Sequence, residues 1–234
     1  MERSTNIATH VKHSAIIATA GVVLTFLTLV AIEPQITHSQ VQDTSEFTIQ
    51  QTITGETSFS TPAPDVVMSG NIAGLTGGNA TGTTQFAVRT NNASGYFVEI
   101  EFFDNGSDHA MMGDINFGDE IRNYSGDNGL LPSNGFAPSA TQAEFAYSVN
   151  SSSSPDTAAA FRNGGGACGV GGTDDFSCWK APSSTAFEIA RRAGPASDGA
   201  TTSVQFVVNV PSGASPAPNA ETYTATATLS LFNI

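Results

Sequence analysis

Beyond residue 39 the chain has one histidine, His109, and one lysine, Lys180. Proton transfer near neutral pH draws most often on histidine, so a base of that kind has to be His109. A Ser-His-Asp triad would need it too. His109 lies in "FDNGSDHAMMGD", a loop-like stretch, and no G-x-S-x-G elbow occurs. Its ordinary reading is a surface histidine with local hydrogen bonds. Glycoside cleavage needs only two carboxylates, and Glu99 and Glu101 stand about 6.5–7 Å apart on one strand face. That face alternates with an apolar one, so the pair reads as solvated strand surface. No enzyme is expected.

Metal chemistry has few ligands to work with. "DNGSD" (104–108) and "GGTDD" (171–175) offer oxygens that suit calcium. Asp104 and Asp108 are the first candidates for a structural calcium site. Neither run has the EF-hand spacing, and turn formation explains both without an ion. No other cofactor is expected. Cys168 and Cys178 lack a nearby histidine and make a poor zinc site. Behind an export signal, an even cysteine count predicts one disulfide closing a short Gly-rich loop. Trp179, next to Cys178, is expected to cover that bridge rather than to stack on a sugar. The glycines of 164–172 are not a phosphate loop, because no Lys-Ser or Lys-Thr follows. Sequons begin at Asn79, Asn92, Asn105, Asn123 and Asn150, all in predicted loops or at strand ends where a glycan could be carried.

The elements that must hold these residues are strands. Alternating or β-branched segments predict strands near 45–54, 56–61, 65–70, 83–90, 95–103, 143–150, 185–191, 202–210 and 221–232. In "GYFVEIEFF" Tyr96, Val98, Ile100 and Phe102 share one face. Gly, Asn, Asp and Pro clusters separate the segments and favour turns. Helical periodicity is nearly absent after residue 39. Short helices are conceivable only at 156–165 and 184–194, each running into glycine. Segment 104–142 is weakly patterned and reads as an excursion from one end of the fold. The expected class is all-β, a single antiparallel β-sandwich with long loops, preceded by an N-terminal signal or hydrophobic helix.

The chain carries 21 acidic residues against 8 Lys and Arg, for a net charge of −13. Such a surface repels phosphate backbones and anionic lipid, so nucleic acid is excluded as a partner. The charge itself reads as a device for solubility. At the N-terminus, Arg3 and Lys12 precede the uncharged run "SAIIATAGVVLTFLTLVAI" (14–32). The order basic, apolar, polar fits a secretory signal, with Thr37 and Ser39 as small residues before a cut at Gln40. The length of the run leaves a membrane anchor open, and only residues 14–32 could touch a membrane. The expected organisation is 1–39 signal peptide or anchor, 40–54 an N-terminal strand or donor arm, and 55–234 one domain, on a protein that is secreted, extracellular or at the cell surface.

"FTIQQTITGETSF", "VVMSGNIAGLTGG", "AVRTNNASGYFVEI", "ACGVGGTDDFSCW" and the closing "ETYTATATLSLFNI" resemble segments of uncharacterised secreted β-sandwich surface proteins of candidate-phyla (Patescibacteria-type) bacteria. The resemblance covers most of the chain after residue 39 and implies fold and export, not mechanism. The layout is more loosely similar to donor-strand subunits of extracellular filaments, in which an N-terminal strand of one subunit inserts into the next. On that basis Phe47, Ile49, Gln51 and Ile53 are the candidate subunit-interface residues, and the partner is a further copy of the chain in a homopolymer. Phe47, Ile49 and Ile53 are apolar and alternate. Gln51 interrupts them and would need a hydrogen-bonding partner once buried. The alternatives are that 45–54 is the first strand of its own domain, or that the protein is a cell-surface carbohydrate-binding or adhesive module engaging glycans or other cells. That module would need Tyr96, Phe97, Phe103, Tyr124, Phe136 and Trp179 to be exposed together.

Overall fold

A computed structural model describes residues 44–104, 106, 109–127, 129, 131–151, 156–172 and 175–234. The segment read as signal or anchor, the lead at 40–43, and Asn105, Ser107, Asp108 and Asp174 lie outside the described residues. The chain divides into Met1–Gln51 and the compact unit Thr52–Ile234. Among the described residues there is no α-helix. No strand is assigned over 44–56, where the alternation predicts one.

The strands are β1 (Thr57–Thr61), β2 (Gly78–Thr90), β3 (Tyr96–Phe102), β4 (Met111–Gly113), β5 (Glu120–Asn123), β6 (Ser133–Asn134), β7 (Glu144–Ser151), β8 (Asn163–Gly164), β9 (Ala167–Cys168), β10 (Cys178–Lys180), β11 (Phe187–Arg192), β12 (Ala196–Val210), β13 (Tyr223–Ala225) and β14 (Ala227–Asn233). The large sheet runs β1-β2-β12-β7-β5-β4-β13, with β10 laid against both β7 and β6. A second sheet is β11-β3-β14, and β8 and β9 form a small ribbon.

β12 is the spine. It pairs with β2 from Ala196 to Val210 and with β7 from Thr202 to Asn209. Its even-numbered residues Val204, Val208 and Val210 join Phe86 and Val88 of β2 and Phe145, Tyr147 and Val149 of β7 in the core. The other side of that core comes from Tyr96, Val98, Ile100 and Phe102 of β3 and Ile189 of β11. The face read from "GYFVEIEFF" is thus the buried one. β7 is covered on both faces, because Ala146 packs with Tyr124 and Val207 in a second cluster behind the sheet. A strand buried on both sides tends to a continuous apolar run, and β7 shows it in Phe145-Ala146-Tyr147, flanked by the buried polar Glu144 and Ser148.

Several expectations change. The sheet is not purely antiparallel, since β5 lies parallel to β7 with Arg122 opposite Glu144. The connection 124–143 is long enough for the crossover that a parallel pair requires. Segment 104–142 is therefore part of the sheet, contributing β4, β5 and β6, rather than an excursion. Segment 65–70 has only an isolated bridge, Ser69 to Thr81. Pro62 and Pro64 just before it cannot donate to a ladder. The run 221–232 is broken at Thr226, where the chain leaves β4 and joins β3 in the other sheet. Within 184–194 the strand expected at 185–191 forms, as Phe187–Arg192, in place of the helix also considered there, and the only helical turn within 156–165 is the 3₁₀ turn Ala159–Phe161.

Gly95 sits where the chain passes from β2 to β3. Its φ is +91°, and a Cβ there would lie 1.8 Å from the Arg192 carbonyl oxygen, so only glycine fits. Cys168 and Cys178 form the expected disulfide. Cys178 faces the main core, whereas Trp179 faces the rear cluster. Adjacent strand residues point to opposite faces, so Trp179 does not cover the bridge as expected.

Burial pushes the phenols of Tyr147 and Tyr96 well above the ordinary 10.0, and the charges of Asp127 and Asp156 respectively add to it. A folded pKa above the unfolded value means that the stabilising contribution is full below pH 10 and falls as pH rises beyond it. In an alkaline titration, tyrosinate absorbance from these two residues should appear together with loss of the β-sheet circular dichroism, and not before it.

Candidate functional site

The arm carries three of the strongly exposed apolar side chains of the described chain. Phe47 is 82%, Ile49 85% and Ile53 83% exposed, and Gln51 is exposed as well. Isolated exposed apolar residues are normal, but three on alternate positions make a strand-shaped surface that water disfavours. The root of the arm is fastened. Asn91 Nδ2 donates to the Thr54 carbonyl at 3.1 Å, and the Glu56 N–H donates to Asn91 Oδ1 at 2.6 Å. The Asn91 N–H and the Thr90 hydroxyl both donate to the Glu56 carbonyl. Asn91 thus clips the chain directly before β1 begins.

The residues first considered for chemistry are spread apart. His109 Nδ1 lies 2.7 Å from Glu120 Oε2, at a partly exposed position. Glu99 and Glu101 line the outer face of β3, opposite Ser230 and Thr228 of β14. Asp104 accepts from the Gly106 N–H at 2.6 Å. The Ser184 hydroxyl, then that N–H, holds its carboxyl below the ordinary carboxylate range. Asp175 closes a similar turn with the Ser177 N–H. Both aspartates act as turn residues, and among the described residues no three His, Cys, Asp or Glu side chains are placed to hold a metal.

A pocket of about 280 Å³ opens beside Asp104, Asn123, Asp127, Lys180 and Ser184. Its charged groups are already engaged. Lys180 Nζ lies 2.9 Å from Asp127 Oδ2, with both side chains almost fully buried, and its ammonium sits 4.8 Å over the Phe187 ring. The same carboxylate oxygen accepts from the Ala181 N–H. Sequence reasoning missed this pair; the one lysine beyond residue 39, beside a tryptophan in a predicted β-rich region, was its one signal.

The four described sequon asparagines fall where strands end or turn. Asn79 starts β2 and accepts from Asn209, Asn123 ends β5 and accepts from the Ala110 N–H, and Asn150 lies near the end of β7. Asn92 donates to the Gly95 carbonyl within the β2–β3 turn. Three of the six aromatics of the carbohydrate reading, Tyr124, Phe136 and Trp179, form one row of rings, with Tyr124 buried and the other two half-buried. Tyr96 and Tyr124 are buried, Phe97 stacks on Phe232, and Phe136 and Trp179 pack together behind the large sheet. Phe103 alone of the six is mostly exposed.

No protein-family model matches the chain, and no curated protein matches it.

Replacing Lys180 by Ala leaves the Asp127 charge buried without its cation. This should cost about 3–5 kcal/mol of stability, measured as a lower urea midpoint. Asn91→Ala removes the clip at the arm's root. It should cost only about 1 kcal/mol while speeding hydrogen exchange at the Glu56 N–H.

Proposed function

We propose that the chain is a non-enzymatic subunit of an extracellular surface filament. Residues 55–234 form a β-sandwich domain on an exported protein, and residues 40–54 are the arm that joins one copy to the next. The observation that carries this reading is the exposure of Phe47, Ile49 and Ile53 on a segment with no strand of its own. Such an arm gains main-chain hydrogen bonds along a sheet edge and buries alternate side chains there. The contact is head-to-tail, and head-to-tail contacts propagate as filaments when the rotation does not close. The burial of Lys180 in its pair with Asp127 supports the non-enzymatic part. Of the six aromatics only Phe103 is mostly exposed, which leaves the carbohydrate-binding alternative with less support.

The test is self-association of the full chain against the arm variant Phe47→Asp/Ile49→Asp. The wild-type chain should form polymers visible by negative stain and in sedimentation. The variant should remain monomeric with unchanged thermal stability, because neither side chain belongs to the core. A wild-type chain that stays monomeric at all concentrations would falsify the reading.

A further inference from the structure

The second sheet has two edges, and they are treated differently. Outside β11, the Ala158 N–H donates to the Ile189 carbonyl and the Arg191 N–H donates to the Asp156 carbonyl, with Thr157 bridging Ala190. That edge is capped by the chain itself. β14 ends the sheet on the other side and pairs only with β3. Among the described residues no backbone hydrogen bond reaches its outer side.

The pairing shows which groups are left. The Phe103 N–H donates to the Thr226 carbonyl, and the Ile234 N–H donates to the Gly95 carbonyl. In an antiparallel pair, the residues that exchange hydrogen bonds alternate with those that do not. Thr226, Thr228, Ser230, Phe232 and Ile234 therefore direct their backbone groups at β3. Ala227, Leu229, Leu231 and Asn233 direct theirs outward. The side chains of Leu229 and Leu231 are only half-buried, and they pack against the core. Phe59 of β1, at the near edge of the large sheet, is half-buried against the same core. A strand unpaired on one side, with incompletely covered apolar side chains, is a template for a further strand.

We propose that the outer edge of β14 is the acceptor for residues 45–53 of a second copy. This rests on the filament reading and names its receiving surface. The arm supplies what the edge lacks. Its backbone pairs with the outward groups of Leu229 and Leu231. Phe47, Ile49 and Ile53 project on the face that covers those leucines and Phe59. Nine arm residues at about 3.3 Å each span the seven of β14. The occupant is another copy because this chain's own residues 44–56 carry no strand while β14 remains the end of its sheet.

Amide hydrogen exchange by NMR tests this on the full chain carrying Phe47→Asp and Ile49→Asp, with a synthetic peptide of residues 44–54 as the probe. The peptide should slow exchange of the Leu229 and Leu231 N–H groups at least about 100-fold and leave Thr228 and Ser230, already paired, little changed. In the wild-type chain the same protection should rise with chain concentration. Peptide binding with protection at another edge, such as the outer side of β1, overturns the acceptor assignment and leaves the filament reading standing. Protection in the wild-type chain that is independent of concentration means the arm closes on its own edge, and it overturns the second-copy assignment. Absence of both peptide binding and self-association overturns both.

Discussion

The pairing of backbone N–H and C=O groups is the constraint from which the rest of this structure follows. A chain of strands must place every such group against a neighbour, a side chain or water. β12 is satisfied on both sides over most of its length, by β2 and by β7. β7 is satisfied by β12 on one side and by β5 and β10 in turn on the other. Pairing on both sides lets these strands be buried, and their burial holds the two sheets to one core. The requirement weakens outward until it reaches β14, which is paired on one side only. Order in the centre and openness at the edge are two results of the same accounting.

Carboxylates complete that accounting where the ladders stop. Glu144 is buried and accepts from the N–H groups of Ser125 and Ser139 and from the Ser125 hydroxyl. Asp119 accepts from the Asn219 N–H and the Tyr223 hydroxyl, and Glu221 from the N–H groups of Ile115 and Asn116. Asp156, fully buried at its side chain, meets the Arg192 guanidinium. Part of the negative charge is thus internal fastening for loops rather than a solubility device. A short carboxylate reaching several loop N–H groups holds a turn that apolar packing cannot, since loops have few apolar side chains to offer.

The strands were legible in proportion to their regularity. "GYFVEIEFF" and "EFAYSV" are strands near the predicted bounds, and "SVQFVVNV" is the second half of β12, which begins six residues before the predicted 202. β4, β5 and β6 are too short to show a period, so the region 104–142 reads as loop. The break at Thr226 is invisible for another reason. Its flanks keep one alternating pattern while the chain changes sheets, and alternation reports which face is buried, not which neighbour is paired. The candidate site was legible as residue types at a spacing, Phe47, Ile49 and Ile53. The edge proposed to receive them was not, because Leu229 and Leu231 look the same in a central strand as in an outer one.

By itself the sequence determined the class of the fold, the face of each long strand that is buried, the disulfide and the scarcity of groups for acid–base chemistry. These are local properties, set by side-chain alternation and by which residues are present. Only the tertiary structure decided strand order, the parallel pair of β5 and β7, the engagement of Lys180 with Asp127, and which edge is capped and which is open. Those depend on contacts between residues far apart in the chain, and hydrogen bonds between backbones carry no mark in the side chains that flank them.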